Sequence, residues 1–70
     1  MNNKIKINLD LLLVKRQRKL IDLSEEIGIT IANLSKLKTG KAKAIRFTTL
    51  LALCEALECK PGDLIDLEEA

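Results

Sequence analysis

The stretch from Leu20 to Gly40, LIDLSEEIGITIANLSKLKTG, decides the fold of this chain. Its apolar residues follow helical spacing in two short segments separated by Gly28. Glycine readily ends a helix in the left-handed conformation, and Thr30, two residues later, is a good N-cap for the next helix. The pattern therefore predicts a helix-turn-helix, with one helix at about residues 19–26 and the next at about residues 30–38.

The chain is short and rich in aliphatic residues. A protein of 70 residues buries only about 60% of the surface that its unfolded chain exposes, so we expect marginal stability that pairing with a second copy would raise. Hydrophobic residues make up 47% of the chain, and Phe47 is the single aromatic residue. This composition favours helices packed through Leu, Ile and Ala. We expect a compact all-α fold with five helices, a single domain over residues 1–70, and a short extended N-terminal arm at residues 1–8.

The arm has the two-residue alternation of a strand. In the sequence KIKIN, residues 4–8, polar and apolar side chains alternate. A single strand is not stable alone, so the arm needs a partner. The tail around residues 64–67 is one choice, and a second copy of the protein is the other.

Apolar residues at helical spacing predict three further helices. The first of these covers about residues 9–17, with Asn8 as its N-cap. Another covers residues 47–57. The last begins at Pro61, a favoured first residue of a helix, with Asp63 in its first turn.

The two cysteines and the short apolar runs bear on whether the chain binds a metal or crosses a membrane. Cys54 and Cys59 can in principle form a disulfide, but a buried apolar role is favoured, and with no histidine in the chain we expect no metal site and no cofactor. No apolar run approaches the roughly 18 residues of a membrane span, and the N-terminus lacks the apolar stretch of a signal peptide. We therefore expect a cytoplasmic protein.

Charge is unevenly distributed along the chain. Residues 1–46 contain eleven Lys and Arg against four Asp and Glu, a net charge of +7, whereas residues 47–70 contain one against six, a net charge of −5. Such asymmetry predicts a basic face for an anionic partner and an acidic far side.

The third helix contains the residues that we expect to read DNA bases. If Leu34 and Leu37 are buried, a turn of about 100° per residue directs the opposite face of this helix outward. Lysine can donate to guanine, asparagine can pair with adenine, and small apolar side chains can contact a thymine methyl group. The expected base-reading residues are Ile31, Ala32, Asn33, Ser35 and Lys36. Alternatively, Asn33 and Ser35 only solvate an exposed helix, and Ile31 completes the edge of the core.

Basic residues follow the third helix without an intervening acid. Side chains at this place can bind phosphates and fix the register of the protein without reading sequence. The N-cap of the same helix can direct a backbone N–H group at a phosphate. The expected phosphate-binding residues are Thr30, Lys38, Lys41, Lys43 and Arg46.

These motifs resemble the lambda-repressor-like, Cro-type helix-turn-helix regulators, particularly their small single-domain bacterial members. The resemblance is carried by LSEEIGIT at residues 23–30, NLSKL at residues 33–37 and KTGK at residues 38–41. It implies a five-helix fold, binding to double-stranded DNA as a homodimer on a two-fold symmetric operator, and regulation of transcription. In two places the chain differs from many relatives: Ser24 replaces a small Ala in the turn, and Leu20 replaces a Gln that binds phosphate.

Two other functions compete with DNA binding. The protein can be an interaction module, such as an antitoxin-like protein or an adaptor, in which the helix-turn-helix is structural and the acidic C-terminal part binds a basic partner. An enzyme is disfavoured because the chain has no histidine and no glycine-rich phosphate loop.

Overall fold

A computed structural model describes residues 4–68 of the chain. Residues 1–3, the beginning of the expected arm, and residues 69–70 lie outside this part. The described residues form strand β1 (Lys4–Ile7), helices α1 (Leu9–Lys15), α2 (Leu20–Ile27), α3 (Ile31–Lys38), α4 (Phe47–Leu57) and α5 (Pro61–Leu64), and strand β2 (Ile65–Glu68). The fold is therefore mostly helical, as predicted, but a two-stranded sheet makes the term all-α incomplete.

The sheet joins residues 4–7 to residues 65–68. Strand β1 pairs with β2 in antiparallel orientation, and Ile7 lies opposite Ile65 with both side chains packed against the core. On the other face of the sheet, Lys4 and Lys6 lie opposite acidic residues of β2. Of the two pairing partners considered for the arm, the structure shows the first: the strand of the arm pairs with the tail of the same chain. The strand therefore provides no evidence for a second copy.

Helix α1 begins at Leu9, as predicted, but its N-terminal cap and its end differ from the prediction. Asn8 precedes the helix but does not cap it; its side-chain amide donates to the Asp63 carbonyl, 3.2 Å away. At the other end, α1 stops at Lys15 rather than at Gln17, because Gln17 adopts a left-handed conformation with φ of 53°. The Arg18 N–H then donates to the Leu13 carbonyl across this reversal.

The core is built almost entirely from leucine. The largest fully buried side chains come from every helix: Leu9, Leu23, Leu34, Leu53, Leu57 and Leu64. Both cysteines are free thiols; Cys54 is buried and Cys59 is half-buried. None of the helices in residues 4–68 has the length and apolar character needed to cross a membrane.

Two arginines after α1 bind the C-terminal end of α4. The Arg16 guanidinium donates to the carbonyls of Leu57 and Glu58, at 3.0 and 2.8 Å, and Arg18 donates to the Ala56 carbonyl at 3.2 Å. Carbonyls at a helix C-terminus lack partners within the helix and carry partial negative charge. The arginines therefore attach α1 to α4, and Arg18 also pairs with Glu26 at 3.0 Å.

The burial of Leu34 predicts a large effect on stability. Replacing this fully buried side chain by alanine leaves a cavity in a small core, so Leu34→Ala should lower the free energy of unfolding by about 2 to 5 kcal/mol. Leu11→Ala, the same change at a side chain that is 64% exposed on α1, should cost about 0.5 kcal/mol or less. Urea denaturation of both variants measures the difference; equal losses would contradict the packing described.

Candidate nucleic-acid interface

Helix α3 is held against the domain by one face and is exposed on the other. Leu34 and Leu37 are buried, which is the condition from which the outward face of the helix was predicted. The N-terminus of the helix is fixed by Thr30, whose hydroxyl accepts a hydrogen bond from the Asn33 N–H at 3.2 Å. Such an N-cap satisfies a backbone donor that has no partner within the helix. The outward face is thus presented from a defined starting residue.

The turn before α3 fixes its orientation relative to α2. Gly28 ends α2 with φ of 72°, a left-handed conformation that glycine adopts without steric cost. The Ser24 hydroxyl donates to the Ile29 carbonyl, so this serine bridges the turn. Leu20, at the start of α2, is packed against the core rather than directed at a ligand. The predicted helix-turn-helix is therefore present, with a turn hydrogen bond that the sequence did not indicate.

The expected base-reading residues differ in their exposure. Ala32, Asn33 and Lys36 are exposed, and Ile31 is 44% exposed in the first turn of α3, outside the core cluster. Ser35 is half-buried, and its carbonyl accepts a hydrogen bond from the Thr39 hydroxyl at 2.9 Å. Four of the five side chains thus lie on the accessible surface of α3.

The basic loop after α3 folds back onto the end of that helix. Gly40 has φ of 76°, and its N–H donates to the Leu37 carbonyl at 3.2 Å. The N–H groups of Lys41 and Ala42 both donate to the Lys36 carbonyl, at 2.9 and 3.1 Å. This is the arrangement by which a left-handed residue ends a helix and satisfies its last carbonyls. The start of the loop is consequently fixed beside the Lys36 residue.

A cleft lies between α3 and this loop, with a volume of about 730 Å³. It brings together six of the ten expected site residues: Thr30, Asn33, Lys36, Lys41, Lys43 and Arg46. Ile31, Ala32, Ser35 and Lys38 do not line it. Thr49 in the first turn of α4 does line it, although it was not among the expected site residues. The sequence signal that could have identified Thr49 was its position in the first turn of a helix that directly follows the basic loop.

The charge of the cleft is positive. Lys36, Lys41, Lys43 and Arg46 contribute four cations, and within residues 4–68 none of them forms an ion pair with an acid. Lys38 differs, because its ammonium group lies 3.5 Å from the carboxylate of Asp10 on α1. Both side chains of that pair are substantially exposed, so the pair is weak. The cleft can attract polyanions, and the phosphate backbone of DNA is one of these.

An exposed helix following a glycine turn, next to a cationic cleft, defines a helix-turn-helix module of the DNA-binding class. Residues 8–70 match the Cro/C1-type HTH DNA-binding domain family. The chain belongs to this family, which confirms the resemblance to Cro-type regulators seen in the sequence. The family is a class of DNA-binding domains and not a class of enzymes.

A curated relative and a solved structure support the assignment. The chain is 60% identical over 60 residues to the uncharacterized HTH-type transcriptional regulator YozG of Bacillus subtilis (strain 168), a match that covers 86% of this chain and 71% of the relative. Its fold matches the crystal structure of the transcriptional regulator VanUg, Form II, with a TM-score of 0.74 and 32% sequence identity, covering 100% of this chain and 92% of that one. The protein is therefore similar to transcriptional regulators in sequence and in fold.

The hydrogen bond at the start of α3 predicts a measurable contribution of Thr30 to stability. Thr30→Ala removes the acceptor of the Asn33 N–H and should lower the free energy of unfolding by about 1 kcal/mol. Thr30→Ser keeps a hydroxyl at the same place and should remain close to the wild type. Chemical denaturation compares the three proteins, and a serine variant as unstable as the alanine variant would show that the hydroxyl is not the cause.

Proposed function

We propose that this protein regulates transcription by binding double-stranded DNA sequence-specifically, as a homodimer, with α3 in the major groove. The observation that carries this proposal is the placement of the exposed face of α3 beside a cleft with four cations that form no ion pair within residues 4–68. The major groove is wide enough to admit a helix, and cations beside that helix can neutralise the phosphates on either side.

Base reading is assigned to the accessible face of α3. Lys36 is suited to donate to guanine, and Asn33 is suited to pair with adenine. Ile31 and Ala32 can pack against thymine methyl groups. Because Ser35 is half-buried, it should contribute less than the other four.

Phosphate binding is assigned to the cleft and its edges. Lys41, Lys43 and Arg46 supply charge, while Thr30 places the start of α3 and its partial positive charge near the duplex. Lys38 is also assigned a phosphate contact, since a phosphate can replace the exposed Asp10 carboxylate at little cost. We expect Lys38 to contribute least among the cations.

The competing interaction-module function is less well supported. An adaptor that only binds protein would have no need for the four cations of the cleft, none of which forms an ion pair within residues 4–68. A stable complex with a partner protein, formed in place of DNA binding, would favour it.

Lys36 provides a test of base reading. Lys36→Ala should weaken binding to the preferred DNA sequence by about 1 to 3 kcal/mol without changing the melting temperature, because the side chain is exposed. Lys15→Ala removes the same charge at the end of α1, beside the arginines that bind the far end of α4, and should have a much smaller effect. Fluorescence anisotropy of a labelled duplex measures both; equal losses would mean that Lys36 contributes charge alone.

Selection of bound duplexes from a random library tests the function itself. A homodimer with two identical reading helices should enrich an inverted repeat whose half-sites are about 10 base pairs apart. Binding to duplex DNA should also weaken steeply as salt rises, because phosphate contacts release counterions. A library that shows no enriched motif would overturn sequence-specific recognition.

A further inference from the structure

The two cysteines of the chain lie on either side of a tight backbone reversal at the end of α4. Cys54 is in the last turn of the helix, and Cys59 follows its end. Between them, Glu58 takes a left-handed conformation with φ of 51°. The Cys59 N–H donates to the Cys54 carbonyl at 3.0 Å. The Glu58 N–H donates to the Glu55 carbonyl at 3.4 Å. Helix α4 therefore ends in a Schellman motif.

This motif brings the side chains of the two cysteines together. In a Schellman motif, the residue after the left-handed one commonly contacts the residue of the last helical turn whose carbonyl it binds. Here these two positions are Cys59 and Cys54, and both line the groove between α4 and the start of α5. Burial, and next the neighbouring Cys54, raise the pKa of the Cys59 thiol to about 11. The two thiols are therefore neighbours that share one apolar environment.

The backbone around the pair suits a disulfide. A disulfide needs α-carbons about 4.4 to 6.8 Å apart. A hydrogen bond of 3.0 Å joins the main chains of Cys54 and Cys59, so their α-carbons cannot lie much beyond the upper end of this range. A bond between the two sulfur atoms thus requires little movement of the backbone.

We propose that Cys54 and Cys59 form a redox-sensitive site, at which hydrogen peroxide converts the two thiols into an intrachain disulfide that stabilises the end of α4. The observations that carry the proposal are the Schellman motif, the groove that both side chains line, and the partial exposure of Cys59. Neither cysteine lines the DNA-binding cleft, so the inference does not depend on the proposed function.

The reaction consumes one hydrogen peroxide for each disulfide. Cys59 is half-buried and meets the oxidant first, whereas Cys54 is buried. The Cys59 thiolate attacks one peroxide oxygen, the O–O bond breaks, and a sulfenic acid forms; the departing hydroxide leaves as water with the proton that the thiol lost. The Cys54 sulfur then attacks the sulfenic sulfur, the S–O bond breaks, and the hydroxyl group leaves as a second water with the Cys54 proton. The protein loses two hydrogen atoms, and the peroxide is reduced to water.

The raised pKa of Cys59 makes the reaction slow at neutral pH. The thiolate is the reacting form, and below the pKa its fraction rises about tenfold for each pH unit. Oxidation should therefore be at least about tenfold faster at pH 9 than at pH 7. In a reducing compartment the pair stays as two thiols until an oxidant reaches it.

The disulfide closes the segment by which α4 is attached to the residues after α1. The carbonyls of Ala56, Leu57 and Glu58 accept the hydrogen bonds of Arg16 and Arg18. All three carbonyls lie between the two cysteines in the sequence. A cross-link around this segment restricts the unfolded chain and holds the left-handed residue in place. The oxidised protein should therefore be more stable than the reduced one.

Peroxide treatment of the reduced full chain at pH 9, followed by mass spectrometry, tests the proposal. The mass of the chain should fall by that of two hydrogen atoms, and a reducing thiol should restore it. Cleavage after Glu55 and Glu58 by a glutamyl endopeptidase separates the two cysteine peptides unless a disulfide joins them, so the oxidised protein should yield the joined pair. Its melting temperature should be about 5 °C or more above that of the reduced protein.

Cys59→Ser is the matched control, since it keeps a side chain of similar size and leaves Cys54 without a partner. Peroxide should neither cross-link this variant nor raise its melting temperature. Cys54→Ala, which keeps the buried position apolar, should behave in the same way. The proposal fails if the wild type forms disulfides only between copies, if its cysteines are oxidised singly without a cross-link, if the cross-linked protein melts no higher than the reduced one, or if peroxide stabilises Cys59→Ser equally.

Discussion

The cleft beside α3 depends on the hydrogen bonds by which the chain folds back onto the end of α3 after Gly40. Helix α3 is only eight residues long, and such short helices are unstable without tertiary support and satisfied ends. At the N-terminus, the Thr30 hydroxyl accepts a hydrogen bond from a backbone N–H group of the first turn. At the C-terminus, the N–H groups that follow Gly40 donate to a carbonyl of the last turn. Because the loop donates to the Lys36 carbonyl, its lysines stay beside the exposed face of α3. The same hydrogen bonds thus end the helix and build the cleft.

The fold divides the basic residues into separate groups. Lys4 and Lys6 lie opposite acids in the sheet, and two arginines after α1 bind the carbonyls at the end of α4. The cations of the cleft are a different group, all contributed by residues 36–46. The net charge of +7 over residues 1–46 therefore overstates the charge available to a ligand, and the cleft is the better guide to where an anion binds.

Local signals predicted the part of the fold nearest the site. Thr30 and Gly28 marked the turn, and apolar spacing located α4 over residues 47–57, as the structure has it. The end of α1 was missed because Gln17 takes a left-handed conformation that usually indicates glycine. The cap at Asn8 was missed because its partner, Asp63, lies 55 residues away in the sequence. Contacts between residues so far apart in the sequence leave no local pattern to read.

The most direct test of the account is a map of the DNA contact surface. Titrating isotope-labelled protein with duplex DNA and following the backbone amide signals reports which residues meet the ligand. If α3 and the cleft bind the duplex, the largest changes fall in residues 30–46 and at Thr49, with small changes in the strands and at the C-terminal end of α4. Changes concentrated on the sheet or on the outer face of α4, with α3 unaffected, would contradict it.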